Sequence, residues 1–279
     1  MKSYLMENFQ VIKPSLLLTP YVKQYWFLSV SNIGQGAQRM MPSGNMTLVF
    51  NKGNTIYSSC EETMPPGGYL GGQSTIYKNT YFDYLNLIIV VFNPIGAKAF
   101  FDMPMNEVLE KNIELSLLSD PLLNELERRL LNTEDNHRCV QLIEQFLLKR
   151  ISQFKTYNYK RLISVMKSIC HGENDISKLA QNACLGYKQF KRIFAEYTGL
   201  NPKQFIQIHR FSQALHALQT QPALTLNDLA YKCGYYDKSH LIKDIKTFSG
   251  YTPNQFLSNS DPYSDYKSLF QSFFVDVGN

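Results

Sequence analysis

The sequence predicts an α+β chain of two domains: a β-rich, barrel-like N-terminal domain that ends in helices, and an all-α domain built from two copies of one helical unit. Three observations lead to this prediction. Short apolar segments separated by turn residues fill the first third of the chain, helical periodicity follows, and one pattern in the last third occurs twice. At 279 residues the chain is longer than one typical domain.

Strands are expected in the N-terminal part where β-branched and aromatic residues cluster between Gly, Pro, Ser and Asn. These segments cover residues 21–30, 46–51, 55–57, 69–72 and 84–93. Residues 117–131 and 140–151 have apolar positions at helical spacing instead. Together they predict a first domain over residues 1–155, which is long enough to form its own core.

The repeated pattern covers residues 179–205 and recurs at residues 229–256. Both copies begin with Leu-Ala, and both carry a glycine followed three residues later by a proline near their end. Equivalent positions are 50 residues apart at the start and 51 apart near the end, so the second copy has one additional residue. We place that residue at the start of the later helix. A duplicated unit of this length is hard to obtain by chance.

Each copy has the sequence signals of two short helices with a turn between them, over about residues 175–198 and 225–249. Asp175 and Thr225 are suited to cap the first helix of their copy. The second helix ends at a glycine, which suits the left-handed position after a helix. The copies therefore predict two helix-turn-helix units.

A longer helix over about residues 202–219 is expected to join the two units. Asn201 can cap this helix, and Gln204 completes a capping box. Pro202 suits the first turn, where its missing N–H would have no partner in any case.

The excess positive charge of the chain lies on the repeated region. Residues 156–258 carry 13 Lys and Arg against 6 Asp and Glu, whereas residues 1–155 carry 14 of each sign. Residues 259–279 carry 1 against 3, and the net charge of the chain is +5. A basic surface is typical of proteins that bind nucleic acid phosphates, but solvated helices are often basic as well. The coincidence of the charge with the repeat favours nucleic acid binding.

The most diagnostic strings of the second copy are Gly234 through Ser239-His240-Leu241 and the run from Phe248 to Pro253. On these residues, the region from about 159 to 257 resembles the DNA-binding domain of AraC/XylS-type transcription regulators, which has two helix-turn-helix units and a joining helix. The sequence departs from the family pattern at Cys184, which replaces a turn glycine, at Gly186 and Tyr236, which replace capping serines, and at Ile245, which replaces a phenylalanine. Each lost cap is expected to cost ~1 kcal/mol.

The resemblance implies a sequence-specific DNA-binding transcription regulator, an activator, with no enzymatic activity. Its implied partners are double-stranded promoter or operator DNA and RNA polymerase, and its implied location is the cytoplasm of a bacterium. Residues 156–258 would bind DNA, and residues 1–155 would bind an effector or form a homodimer. Neither a cofactor nor a metal is expected, and the sequence does not identify the effector.

The face of each recognition helix opposite its apolar stripe is expected to enter a major groove. This face carries Lys188, Gln189, Lys191 and Arg192 in the first helix and Lys238, Ser239, His240 and Lys243 in the second. Arg192 is the strongest candidate for base recognition, because its guanidinium can bind guanine through two hydrogen bonds. Any single lysine is equally well explained as a solvated charge or a phosphate contact, and His240 is also explained as a structural residue.

The length of the joining helix suits a site of two adjacent grooves. About 16 residues at ~1.5 Å each span roughly 24 Å. Once the offsets of the two units are added, recognition helices about one DNA turn, ~34 Å, apart are expected. One chain would then read an asymmetric site about two turns long.

Three strings of the first domain resemble landmarks of the N-terminal region of such regulators, at residues 39–44, 69–73 and 91–97. A cupin-like metal enzyme would need several ligands on strands, but residues 1–155 contain one histidine, His137, in a helical segment. Two alternatives stay open for the many aromatic residues of this domain. They line a hydrophobic effector pocket, or they pack an ordinary β-core.

Cysteine content and the length of the apolar runs limit the cellular locations that the sequence allows. The five cysteines are odd in number and lack a CxxC pair, which favours a reducing cytoplasm. The longest apolar run, residues 87–92, is too short to cross a bilayer. An apolar cluster in residues 259–279 is expected to dock on the first domain or on a partner subunit.

Two alternative functions remain: a regulator without a ligand, controlled by its abundance, and a DNA-modifying enzyme fused to a DNA reader.

Overall fold

The computed structural model describes residues 4–32, 38–60, 62–221 and 223–259. In this described part, ten strands form two antiparallel sheets. The strands are β1 (Tyr4–Ile12), β2 (Val22–Asn32), β3 (Gln38–Met40), β4 (Thr47–Asn51), β5 (Ile56–Ser58), β6 (Thr63–Met64), β7 (Gly67–Gly71), β8 (Lys78–Tyr81), β9 (Tyr84–Phe92) and β10 (Asn112–Glu114). The apolar tail expected from the sequence lies in residues 260–279, outside the described residues.

The larger sheet has the strand order β1-β2-β9-β4-β7-β10, and the smaller sheet has the order β3-β8-β5-β6. Alternate side chains of β9 belong to two apolar clusters, one shared with the helices and one with the smaller sheet. Ile88, Val90 and Phe92 are in the first cluster, and Leu87, Ile89 and Val91 are in the second. Because both faces of β9 are covered, the strand is apolar at nearly every position.

Short turns and three helices follow the strands. The 3₁₀ turns are Ala97–Ala99, Met105–Val108 and Leu115–Leu118, and the helices are α1 (Pro121–Leu131), α2 (Asn136–Ile151) and α3 (Tyr157–Cys170). Sequence periodicity did not predict α3. The Tyr159 ring of this helix stacks on Tyr21 with centroids 4.8 Å apart, and its hydroxyl donates to the Pro20 carbonyl over 2.6 Å. α3 is therefore fastened to the β-rich part of the chain.

The remaining helices form the repeated region. They are α4 (Ile176–Asn182), α5 (Tyr187–Thr198), α6 (Pro202–Thr220), α7 (Leu226–Lys232), α8 (Lys238–Ser249) and α9 (Pro253–Asn259). Helices α4 and α5 form the first unit, α7 and α8 form the second unit, and α6 joins them. The expected caps of α4 by Asp175 and of α7 by Thr225 are confirmed, as is the capping box of α6.

One continuous apolar core runs through both parts of the chain, from Leu18 to Phe256. It includes the helix-facing side of the larger sheet and the inner faces of both units. The predicted fold class, a β-rich N-terminal part followed by a helical part, is confirmed. Where one domain ends and the next begins stays a prediction, because the core does not divide at that point.

Candidate nucleic-acid interface

Both units turn at a residue in the left-handed conformation. This residue is Cys184 in the first unit, with φ of 51°, and Gly234 in the second, with φ of 72°. The N–H group of the following residue then donates to an alanine carbonyl of the preceding helix. The bond runs from Leu185 to Ala180 over 3.0 Å in the first unit and from Tyr235 to Ala230 over 2.9 Å in the second. The two units therefore share one backbone turn, and in the first unit a cysteine occupies a position that favours glycine.

We expect Cys184→Gly to raise the free energy of unfolding by about 1 kcal/mol. A side chain in the left-handed region costs roughly 1–2 kcal/mol, and the greater entropy of glycine in the unfolded chain offsets part of the gain. Cys184 is exposed, so its removal empties no core position. Urea denaturation measures the change, and Gly234→Ala is the matched control with the opposite expected sign. A loss of stability in the Cys184 variant would contradict this account of the turn.

The recognition helices begin differently in the two units. Gly186 precedes α5 and gives no side-chain cap, as the sequence indicated. The second unit corrects the sequence interpretation, because α8 is capped by Asp237 and not left uncapped at Tyr236. The Asp237 carboxylate accepts from the His240 N–H over 2.7 Å. The one additional residue of the second unit therefore moves the helix start by one position and supplies a cap.

A buried hydroxyl fixes the end of each recognition helix. Thr198 Oγ1 donates to the Phe194 carbonyl over 2.8 Å, and Ser249 Oγ donates to the Ile245 carbonyl over 2.6 Å. Each hydroxyl also accepts from the N–H two residues later, over 3.1 Å in both units. The glycine after each hydroxyl has positive φ, as expected. Sequence reasoning missed both hydroxyls, although the paired Thr and Ser are visible in the aligned copies.

The joining helix is buried along most of its length and packs against both units. Phe205 lies against Phe194 of α5 with ring centroids 5.5 Å apart, and Phe211 lies against Phe248 of α8 at 5.0 Å. His209 is buried between these contacts, and burial lowers its pKa to about 4. A neutral His209 at physiological pH is a packing residue.

The structure leaves the predicted DNA-facing residues on the surface. Seven of the eight are exposed and one, His240, is half-buried; the exposed residues are Lys188, Gln189, Lys191, Arg192, Lys238, Ser239 and Lys243. Each set lies on the side of its helix opposite the buried stripe. Ile242, which lies between Leu241 and Lys243 on α8, is half-buried. Their role in binding DNA stays a prediction.

Two acidic residues connect the recognition helices to the rest of the molecule. Glu196 of α5 lies 3.8 Å from Arg192 Nη1 and 3.7 Å from Lys98 Nζ, in the 3₁₀ turn of the β-rich part. Asp244 of α8 is buried and accepts from Gln207 Nε2 of α6 over 2.9 Å. His240 Nε2 lies 3.9 Å from the other oxygen of Asp244. His240 thus has a structural contact, which supports the alternative that it is a structural residue.

The β-rich part also contacts the C-terminal end of α8. Arg39 of β3 lies between the rings of Tyr77 and Tyr251, 4.4 Å and 4.3 Å from their centroids. Its Nη1 donates to the Ser249 carbonyl over 3.0 Å, and its Nε donates to Asn79 Oδ1 over 2.9 Å. A cation at a helix C-terminus is favoured by the helix dipole. Arg39 therefore connects the smaller sheet directly to the second recognition helix.

Two segments of the chain match known families. Residues 179–259 match the family described as a helix-turn-helix domain, and residues 10–114 match a domain of unknown function (DUF6597). The C-terminal part is an AraC-type helix-turn-helix domain, and the predicted resemblance to AraC/XylS-type regulators is confirmed.

Among curated proteins, the chain is similar to the uncharacterized HTH-type transcriptional regulator YidL of Escherichia coli (strain K12), with 25% identity over 104 residues. The similarity covers 37% of this chain and 35% of that protein, or about a third of the relative's length. Together with the family match, this relative supports a DNA-binding transcription regulator.

Two solved structures of ToxT from Vibrio cholerae are similar to the chain at low identity. One covers 92% of this chain and 98% of its own at 11% identity, with a TM-score of 0.43. The other, unsaturated fatty acid bound wild-type ToxT from strain SCE256, covers 92% and 95% at 13% identity, with a TM-score of 0.42.

The described residues contain no helix that is both long enough and apolar enough to cross a membrane. Within the same residues, no group of three or more His, Cys, Asp or Glu side chains is arranged to hold a metal ion.

Proposed function

We propose that this chain is a sequence-specific DNA-binding transcription regulator that places α5 and α8 in two adjacent major grooves of one duplex. The observation that carries the proposal is that both helices expose a polar, mainly basic face while their opposite faces pack on the same joining helix. Such a pair moves as one body and can follow one side of the double helix.

The residues divide into two roles under this proposal. Arg192 and Gln189 contact base edges, because their side chains can form two hydrogen bonds to guanine and adenine respectively. The phosphate contacts come from Lys188, Lys191, Lys238 and Lys243, with Ser239 and His240 beside the backbone. Those contacts give affinity and register without selecting a sequence.

The β-rich part regulates this DNA-binding region. We propose activation of transcription through RNA polymerase in a bacterial cytoplasm, with the β-rich part as the receiver of an effector or as a dimerisation domain. The contacts of Lys98 with Glu196 and of Arg39 with Ser249 support a regulatory role, since they join the β-rich part to both recognition helices. A regulator without a ligand, controlled by abundance, is the alternative.

A DNA-modifying enzyme is disfavoured by how the acidic residues of the β-rich part are used. Glu62 and Glu110 lie 3.5 Å and 3.8 Å from the same Lys78 ammonium. Glu62 also accepts from Asn112, and Glu110 from the Thr75 N–H. Both carboxylates therefore serve structural contacts, which leaves no free acid pair between them for general acid–base chemistry.

The salt dependence of binding tests the proposal. We expect Lys188→Ala and Lys243→Ala each to weaken binding to all duplexes alike and to lower the slope of log K against log salt by about one. Fluorescence anisotropy with a selected duplex and a random duplex, over a series of salt concentrations, measures both quantities. Lys160→Ala is the matched control, because this exposed lysine lies on α3. Unchanged slopes for both variants would show that neither Lys188 of α5 nor Lys243 of α8 contacts the phosphate backbone.

A further inference from the structure

A cavity of about 230 Å³ lies between the two sheets of the β-rich part. Most of its wall is apolar and comes from the second apolar cluster, including Trp26, Leu28, Ile89 and Val91 of the larger sheet and Ile56 of the smaller. One water occupies roughly 30 Å³ in the liquid, so the volume equals that of about eight waters. The space is large enough for a small organic molecule, and its apolar wall favours one.

One end of the cavity carries two buried side-chain amides, Asn45 and Gln73, which are 5% and 1% exposed. The β4–β7 register pairs Thr47 with Gly71, and continued outward it sets Asn45 opposite Gln73. Among the described residues, neither the nitrogen nor the oxygen of either amide has a hydrogen-bond partner. The buried Trp26 indole nitrogen, also in the wall, likewise has none there. A buried polar group without a partner is unfavourable, so this end is suited to a ligand that both donates and accepts.

Three of the four charged residues around the cavity are occupied with one another. The Lys78 ammonium lies between Glu62 and Glu110, and it also donates to the Glu110 carbonyl over 3.0 Å. Lys111, the remaining charged residue of the wall, is exposed to solvent. A charge on a ligand buried against the apolar wall would pay a large desolvation cost, because Lys78 is already paired and Lys111 offers only a solvent-screened charge. The cavity selects against carboxylates and favours neutral molecules.

The polar end of the cavity touches the DNA-binding region. A Cβ added to Gly199, at the end of α5, would lie 3.2 Å from Gln73 Cγ. Next to Asn45, a Cβ added to Gly44 would lie 3.7 Å from the Phe205 ring and 3.9 Å from Ile208 Cγ2, both on α6. Met40 lines the cavity from β3, beside Arg39, which holds the end of α8. A ligand that binds the two amides would therefore contact residues that pack against the ends of both recognition helices and against the joining helix.

We propose that this cavity binds a neutral, mainly apolar small molecule whose polar group both donates and accepts hydrogen bonds, such as a primary amide, through Asn45 and Gln73. The bound molecule changes DNA affinity by two routes. One is the approach of Gln73 to Gly199 at the end of α5, and the other is the contact of Arg39 in β3 with the end of α8. The second part of the proposal rests on the DNA-binding function proposed above, whereas the first part does not.

Matched probes of equal chain length test the ligand class on the full chain. Hexanamide and octanamide are expected to raise the melting temperature and to give saturable binding by calorimetry, whereas hexanoate and octanoate are expected to do neither. Equal binding of the carboxylates would overturn the assignment of a neutral ligand. Absence of binding by every probe would overturn the cavity as a site for this class.

Substitutions locate the site and separate it from folding. Asn45→Leu and Gln73→Leu should each weaken amide binding about tenfold or more, because each removes two hydrogen-bonding groups. Both should leave the melting temperature of the ligand-free protein unchanged or higher, since an unsatisfied buried amide is removed. Gln24→Leu is the control, because this buried amide residue does not line the cavity. Equal loss of amide binding in the control would place the ligand elsewhere.

The effect on DNA is measured separately, as duplex affinity with and without octanamide. A change in DNA affinity that disappears in Arg39→Ala, while the octanamide-induced rise in melting temperature persists, supports the coupling. An unchanged DNA affinity with octanamide bound would overturn the coupling alone. A chain that bound octanamide but no duplex at all would overturn the DNA-binding function and leave the cavity assignment standing.

Discussion

Arg192→Ala is expected to weaken binding to the preferred DNA site by about 1 to 3 kcal/mol and to relax the preference at one base position. The Arg192 side chain is 71% exposed, and its Nη1 lies 3.8 Å from a carboxylate oxygen of Glu196. An exposed pair of this kind contributes little and is readily exchanged for a guanine edge. Anisotropy titrations against a panel of duplexes with single base changes measure both the loss and the altered preference.

Arg192→Lys separates base recognition from simple attraction to phosphate. Lysine keeps the charge but lacks the planar fork that binds two acceptors of one guanine. The lysine variant should therefore lose the base preference while it retains most of the salt dependence. If it discriminated among the duplexes as the original chain does, Arg192 would be a phosphate contact and not a base reader.

Phe211→Ala is expected to lower the free energy of unfolding by about 3 to 5 kcal/mol, the usual range for removing a buried phenylalanine. Phe211 is fully buried on α6, and its ring lies 5.0 Å from that of Phe248 on α8. The cavity left behind would also loosen α8 from the joining helix. Affinity for the two-groove site should therefore fall even at temperatures where the variant remains folded.

The control for this prediction is Phe211→Leu, which preserves most of the volume and should cost less than about 1.5 kcal/mol. Urea denaturation of both variants gives the stability difference, and anisotropy at a temperature well below unfolding gives the affinity. A Phe211→Ala protein as stable as the original chain, with the same affinity, would show that this contact does not hold the second unit in place.

The helical region could be predicted closely because its signals are local. The capping residues Asp175, Asn201 and Thr225 act on N–H groups two or three residues away, so each helix start is visible in a short window. The exception is Asp237, where the additional residue of the second unit shifts the helix start beyond the position that alignment of the two copies indicated.

The sheets were predictable only in part. The central strands β4 and β9 are apolar runs because they are buried, and their positions follow from composition. The smaller sheet gave weaker signals. Strand β8, with sequence Lys-Asn-Thr-Tyr, has no buried residue, so apolar alternation could not mark it. Its pairing with β3 and β5 is set by tertiary contacts.

The surface of the candidate DNA interface followed from helical periodicity, whereas its connections to the β-rich part did not. Arg39 and Ser249 are 210 positions apart in the chain, and Lys98 and Glu196 are 98 positions apart. No periodic pattern relates residues at such separations. The unsatisfied amides of Asn45 and Gln73 were equally invisible, because burial and the lack of a partner are properties of the folded chain.

Protection of a selected DNA site against hydroxyl radicals, with and without a half-turn insertion at its centre, tests the paired arrangement of α5 and α8 most directly. We expect two protected regions about one turn, ~34 Å, apart on one side of the duplex. Inserting about five base pairs, half of a ~10 bp turn, should abolish protection of one region and lower the affinity. A single protected region on the original site, or equal affinity for the site with the insertion, would contradict the account.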